Sequence, residues 1–362
     1  MSAERDIFDR LRLIRSPNIG PVSYRQLVAR FGSAGRALEA LPDLASRAGG
    51  RAFVAAPADA IRREIEKLQR LGAHYLFIDD ADYPAPLAEL ENAPPVLTYL
   101  GNIAFASQTN VAMVGARNAS AAGCRMARSI AQDLGEREII VTSGLARGID
   151  AAAHQGALRT GTIAVIAGGI DIVYPPEHAE LQARIAAEGL LIAEMPPGIE
   201  PRARHFPYRN RIISGLSAGT VVVEAIPRSG SLITARLAGE AGREVMAIPG
   251  SPLDPRSRGC NQLIREGATL VQDADEIAEL IAPLDHRVRS TASAAPRFDF
   301  IAEAGDSERG TIFGLLSPNF AAVDELVRLS GMPSAQVQMV LLELELAGRL
   351  ERGAGARVRL TA

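Results

Sequence analysis

The sequence predicts the α/β class: a mostly parallel sheet, preceded by a small helical domain and followed by a winged helix-turn-helix. Three observations carry that expectation. Between Val111 and Gly230, short apolar runs recur, each followed by a small-residue turn and a helical segment; this is the grammar of βαβ units. Residues 1–72 place apolar side chains at helical spacing without such runs. After residue 307 come two helical stretches about a Gly-containing turn and a hairpin-like end, the pattern of a winged helix-turn-helix.

Taken in order, the first domain has Leu11, Leu13, Ile14, Leu27, Val28, Phe31, Leu38 and Leu41 in helical register, punctuated by Pro17 and Pro21. Two short helices about a Gly-containing turn serve helix-hairpin-helix modules on DNA backbones, and serve interaction domains equally. From residue 73 strands are expected at 74–78 and 96–100, with Pro84, Pro94 and Pro95 at their edges. Residues 73–106 thus read as an extension of the main sheet. Within the central domain, 73–282, strands are expected at 111–114, 139–141, 162–166, 220–223, 244–248 and 269–271, with helices at 260–265 and 273–281. Residues 283–306 lack periodicity and read as a linker. Residues 307–362 hold amphipathic helices at 321–329 and 334–347 and a closing hairpin.

Composition narrows the function. At 362 residues and 47% hydrophobic content the chain supports two or three domains. No apolar run approaches the roughly 18 residues of a membrane helix, and Met1-Ser-Ala-Glu-Arg-Asp6 is not a secretory leader. The expectation is a cytoplasmic protein with no membrane partner. Two cysteines, Cys124 and Cys260, and five scattered histidines suit neither a disulfide framework nor a metal site. The net charge of -3 leaves room for local basicity, and residues 201–211 carry Arg202, Arg204, Arg209 and Arg211 with no acid. Lys67 is the sole lysine among 39 basic residues, which we read as a genome composition bias.

In a parallel sheet the loops after the carboxyl ends of the strands line one crevice, so the loops at 115–120, 143–150, 168–171 and 228–231 are expected to converge. Such loops present free N–H groups and helix N-termini to anions. Gly115, Ser143, Gly144, Gly168, Ser229, Gly230 and Ser231 therefore read as a phosphate cradle, with Arg117, Arg147, Arg209 and Arg211 as guanidinium forks. There is no Gly-x-Gly-x-x-Gly with a following acid and no P-loop lysine. The one Gly-x-Ser-x-Gly, Gly215-Leu-Ser-Ala-Gly219, stands before the apolar run at 220–223 and not after a strand, so it is not a strand-to-helix nucleophile elbow. Binding is favoured over catalysis, with no cofactor and no metal. Arg202, Arg204, Phe206, Arg209, Asn210 and Arg211, beside Tyr208, mix cations with aromatic rings as single-stranded nucleic-acid sites do. Plainer readings stand beside these: the glycines permit turns, Phe206 is core, His154 anchors a helix, Asp150 caps one, and Glu194 and Glu224 pair with arginines.

The ordered motifs Val114-Gly-Ala-Arg117, Ser143-Gly-Leu-Ala-Arg-Gly-Ile-Asp150, Gly168-Gly-Ile-Asp171 with Tyr174-Pro175, Phe206-Pro-Tyr-Arg-Asn-Arg211, Ser229-Gly-Ser231 and Gly259-Cys-Asn-Gln-Leu263 closely resemble the DNA-processing protein family DprA, also called Smf. The resemblance implies a SAM/helix-hairpin-helix-like first domain, an extended Rossmann-like central domain and a winged helix. It also implies a non-enzymatic homodimer that binds and protects incoming single-stranded DNA and loads a RecA-type recombinase in natural transformation. Arg117 matches the family's arginine in the first glycine loop. Where the family commonly has a basic residue just before the third strand, this chain has Arg159-Thr-Gly-Thr162. The winged helix is open to duplex DNA, to a protein or to packing; Glu343 and Glu345 in its recognition helix favour a protein over DNA. The rival class is a nucleoside monophosphate phosphoribohydrolase, which would show Pro-Gly-Gly-x-Gly-Thr and a nearby glutamate where this chain has Arg228-Ser-Gly-Ser-Leu-Ile-Thr234.

Overall fold

The structure, a computed structural model, describes residues 3–47, 53–290, 304–353 and 355–361. In chain order come α1 (Ala3–Ile14), α2 (Pro21–Phe31), α3 (Ala34–Arg47), α4 (Ala58–Arg70), β1 (His74–Phe77), α5 (Ala85–Ala88), β2 (Val96–Gly101), β3 (Asn110–Val114), α6 (Ala121–Glu136), β4 (Ile140–Ser143), α7 (Ile149–Ala157) and β5 (Thr162–Gly169). The central region continues through α8 (Ala179–Glu188), β6 (Leu190–Met195), α9 (His205–Leu216), β7 (Gly219–Val222), α10 (Gly230–Glu240), β8 (Glu244–Ala247), α11 (Arg258–Arg265), β9 (Thr269–Leu270) and α12 (Ala274–Ser290). The last elements are α13 (Asp306–Leu315), β10 (Ala321–Ala322), α14 (Val323–Ser330), α15 (Ser334–Leu346), β11 (Leu350–Gly353) and β12 (Arg357–Leu360). Two compact units result, one of residues 66–293 and one of residues 1–65 with 294–362.

The first of these units is built on a nine-stranded sheet of order β1-β2-β6-β5-β4-β3-β7-β8-β9. Strands β3 to β9 are mutually parallel, whereas β1 and β2 add antiparallel pairs onto β6. Every residue of β3, β4 and β5 is buried, as expected of strands covered on both faces. Alternation splits the core in two: Val111, Met113, Val141 and Val221 pack with α6, α7 and α12, while Ala112, Val114, Ile140 and Val222 pack with α9, α10 and α11. The order reverses between β3 and β7, where an open α/β sheet forms its ligand crevice. Helix α12 continues to Ser290, into the stretch read as a linker; residues 291–303 of that stretch lie outside the described residues.

In the other unit, α15 is the centre of the core. Its inner face packs with Ile312, Leu326 and Val358 through Val337, Val340, Leu341 and Leu344. A second face carries Leu342 and Leu346 into the cluster formed by Leu13, Tyr24, Leu27 and Leu41 of the N-terminal helices. Gln26 Nε2 also donates to Gln338 Oε1 at 3.0 Å. The sequence reading of α15 as an amphipathic recognition helix is thereby corrected: it is apolar on both sides, and such a helix is buried. The argument from its acidity lapses too. Glu343 accepts a bidentate contact from Arg309, at 2.7 and 3.1 Å, and Glu345 accepts from Arg352 at 2.8 Å, so neither displays its charge to a partner.

Candidate nucleic-acid interface

The expected convergence occurs, with α9 between the loops. A cavity of about 810 Å³ lies over the carboxyl ends of β3 and β7, lined by Gly115, Arg117, Phe206, Arg209, Asn210, Ser229, Gly230 and Ser231 among others. A smaller recess of about 40 Å³ adjoins it, lined by Gly144, Arg147, Gly168 and Tyr174, and the two share Arg117, Ala146, Phe206 and Arg209.

Arg117, Phe206 and Arg209 form the centre of the site. Phe206 and Arg209 stand three residues apart on α9 and so lie on one helical face. The Arg209 guanidinium carbon is 5.9 Å from the Phe206 ring centroid, that of Arg117 is 5.3 Å away, and Tyr174 meets the ring at 5.8 Å and 59°. The phenyl ring is thus a cation–π rung between two guanidiniums. Arg209 is only 8% exposed, its buried Nε has no partner, and burial pushes its pKa down. Neither Arg117 nor Arg209 has a carboxylate at ion-pair distance among the described residues. Gly144 makes room for Arg209: a Cβ there would fall 1.7 Å from Nη1.

The loop of residues 143–148 that faces Arg209 is held by buried side chains. Leu145, a non-glycine at φ 54°, donates its N–H to His154 Nε2 at 3.3 Å, and its carbonyl accepts from His178 Nδ1 at 2.9 Å. In that tautomer His154 Nδ1–H donates to Thr162 Oγ1 at 2.7 Å, and Thr162 donates to Val141 O at 2.8 Å. Burial, then the charge of Arg209, pushes His154 down to about 3. It is the hydrogen-bonding anchor that the plainer reading described. Asp150 is not the helix cap expected: α7 is capped at Gly148, and the Asp150 carboxylate accepts the N–H groups of Gly144 at 3.1 Å and Ala146 at 3.4 Å. It staples the preceding loop. Burial pushes its carboxyl up, against the Arg209 charge and those two N–H groups.

Other expected residues lie elsewhere. Arg211 is turned inward, 5% exposed, with Nη2 at 2.5 Å from Glu194 Oε1; the expectation that it faces phosphate is corrected. Arg209 and Arg211 are about 200° apart around a helix, which sends one to the crevice and the other to the core. Ser143 is buried and donates to Met113 O at 2.6 Å. Arg147 pairs with Glu177 at the rim. Arg202 and Arg204 are exposed on the approach to α9 and line neither cavity, although Ala203 between them does. Arg159 is exposed before the start of β5, so eight strand residues at about 3.3 Å each separate its end of the sheet from the crevice. Glu194 has its arginine, whereas Glu224 instead accepts from Ser120 N–H at 2.8 Å and from Ser120 Oγ–H at 2.5 Å, fixing the entry to α6.

Sequence reasoning missed the fifth carboxyl-end loop, after β8. It brings Asp254, Pro255 and Arg256 to the cavity wall, with Arg256 held bidentately by Asp254 at 3.0 and 2.9 Å. The same crevice rule applied to β8 would have found it. Lys67 Nζ reaches Asp171 Oδ2 at 2.7 Å, and Asp171 accepts the Gly198 N–H at 2.7 Å, which fixes the loops bordering the smaller recess. Among the described residues no group of three or more His, Cys, Asp or Glu side chains is placed to hold a metal ion, and no helix is long and apolar enough to cross a membrane.

Comparison with known proteins places this architecture. Residues 74–282 match the family described as DNA recombination-mediator protein A, residues 4–66 a DprA-like N-terminal HHH domain and residues 292–356 a DprA winged helix domain. DNA processing protein DprA of Streptococcus pneumoniae is 47% identical over 205 residues, covering 56% of this chain and 72% of that protein. Protein Smf of Escherichia coli is 37% identical over 322 residues, covering 85% and 83%. The solved structure of the S. pneumoniae protein superposes with a TM-score of 0.62 at 36% identity, covering 75% of this chain and 95% of that one. DNA processing protein A from Helicobacter pylori, whose structure is described for its single-stranded DNA binding mode, superposes with a TM-score of 0.53 at 25% identity, covering 58% and 96%. With an N-terminal HHH domain, a Rossmann-like sheet and a winged helix all matched in order, this chain belongs to the DNA recombination-mediator protein A family, DprA/Smf.

Proposed function

We propose that this protein binds single-stranded DNA in the crevice over β3 and β7, as a cytoplasmic homodimer, and that it protects incoming strands and loads a RecA-type recombinase onto them in natural transformation. One observation carries the binding reading: Arg117 and Arg209 flank Phe206 in a cavity at the sheet's switch point, and among the described residues neither forms an ion pair, the buried Asp150 carboxylate acting on Arg209 only through its charge. Phosphates supply the missing charge, and bases supply faces for Phe206 and Tyr174. The single-stranded DNA binding mode described for the H. pylori relative supports the same ligand. Binding rather than catalysis is favoured because the buried candidates are engaged structurally: His154 through both ring nitrogens, Asp150 through two N–H groups and Ser143 through Met113 O.

The test is the salt dependence of binding to labelled oligo-dT, with duplex of equal length as control. Each phosphate contact contributes about -0.7 to the log–log slope for a single strand, so Arg117→Ala and Arg209→Met should each weaken binding and flatten the slope by roughly that amount. Unchanged slopes in both variants would move the DNA site away from this crevice. RecA strand exchange on DNA coated with a single-strand-binding protein should accelerate with the wild type and not with Arg117→Ala.

A further inference from the structure

Helix α10 opens into the large cavity without a side-chain cap. Its N-cap Ser229 points its hydroxyl at Ser231 Oγ, 2.7 Å away, leaving the first-turn N–H groups uncapped by any side chain. The turn before it holds Arg228 at φ 64°, a conformation that costs free energy in a non-glycine residue. Gly230 is the first residue of this helix and lines the cavity. Neither packing nor backbone calls for glycine there: its φ is not left-handed, and a Cβ would meet no protein atom within 4 Å. At Gly115, by contrast, a Cβ would fall 2.5 Å from Ile149. The space that the missing side chain leaves at Gly230 belongs to the cavity.

Arg209 is the second, independent observation. It is more than nine-tenths buried, lines the same cavity and leaves its Nε unpartnered. The neighbouring arginines are neutralised, Arg147 by Glu177, Arg211 by Glu194 and Arg256 by Asp254. Two guanidiniums, Arg117 and Arg209, and about half a charge from the start of α10 therefore stand against the single buried carboxylate of Asp150. An internal phosphodiester brings one negative charge, whereas a phosphate monoester brings about 1.5 to 2. A volume of about 810 Å³ also falls in the range of small-ligand clefts.

We infer that the start of α10 seats a phosphate monoester of a nucleotide, held by the Gly230 and Ser231 N–H groups, the Ser229 and Ser231 hydroxyls, Arg117 and Arg209. The cavity thereby prefers the phosphorylated end of a strand to an interior phosphodiester. This rests on the nucleic-acid reading above and deepens it. A free nucleotide offers the same chemistry as a strand end, and the experiment separates the two.

Oligo-dT is prepared with a 5′-phosphate, with a 3′-phosphate, or with hydroxyls at both ends, and binding is measured at one salt concentration. At least one phosphorylated form should bind about tenfold or more tightly than the hydroxyl form. Gly230→Ala should hold or raise the melting temperature, since alanine is the better helix former, and should bring that ratio to about one by filling the phosphate's place. Displacement of the phosphorylated strand by dTMP identifies a free nucleotide as an accepted source; a ratio that persists without displacement identifies the strand end. Equal affinities for all three oligonucleotides, or a ratio that survives Gly230→Ala, would overturn the inference. If the hydroxyl form does not bind at all, the strand reading fails, and direct dTMP binding decides the phosphate seat by itself.

Discussion

His154 makes the fold around the site sensitive to acid in a way that can be calculated. A free imidazole titrates at 6.5, and in this fold burial holds the group at about 3. Between those values the unfolded chain binds a proton that the folded chain refuses, so stability is full above 6.5 and falls as the pH drops towards 3. At about 1.4 kcal/mol per pH unit the loss at pH 5 is about 2 kcal/mol, or a melting-temperature shift of about 4–8 °C for a unit of this size. The assay is the titration of the five histidine ring protons by NMR from pH 8 to 4, with urea unfolding at pH 7 and pH 5. His154→Gln keeps an acceptor but takes no proton, and should lose about 2 kcal/mol less than the wild type between those pH values. Asp150 works in the opposite sense, because burial raises its carboxyl, so the difference between variant and wild type is read and not the profile alone. A His154 signal that titrates near 6.5 would refute the reasoning, and with it the neutral contacts to Leu145 and Thr162.

Two further outcomes follow from buried contacts. Arg211→Ala strands the Glu194 carboxylate and should cost about 3–5 kcal/mol in urea unfolding, whereas Arg211→Met with Glu194→Gln should cost less and leave the salt slope of oligo-dT binding at its wild-type value; a flattened slope in the double variant would return Arg211 to the phosphates. Leu342→Ala and Leu346→Ala should each destabilise the unit of N- and C-terminal helices by about 2–5 kcal/mol and expose α1, α2 and α3 to limited proteolysis; protection of those helices in the double variant would show that they do not depend on α15.

What could be read from the chain was local. Each apolar run between Gly turns became a strand, because a strand buried on both faces needs continuous apolar sequence and little else. Convergence of the loops at 115–120, 143–150, 168–171 and 228–231 followed from one topological rule, and the motif resemblance pointed to the family. The limits appeared wherever direction mattered. Residues 201–211 looked like a uniform arginine stretch, yet Arg202 and Arg204 stand exposed ahead of α9, and within it Arg209 and Arg211 divide between crevice and core. Asp150 stood one residue inside α7, so its carboxylate turned back to the loop instead of capping the helix.

The sequence by itself therefore determined the α/β class, four of the carboxyl-edge loops and the chemistry those loops could offer to phosphate, but not β6 or α9. Only the tertiary structure decided which arginines remain without an ion pair among the described residues: Arg117 and Arg209 face Phe206, while Arg147 meets Glu177, Arg211 meets Glu194 of β6 and Arg256 meets Asp254. It also decided that α15 is enclosed by residues more than 300 positions away, as the Gln26–Gln338 bond shows at a separation of 312. The physical reason is the same in both cases. Charge compensation and burial are properties of neighbours in space, and a sequence states only which side chains are available to become neighbours.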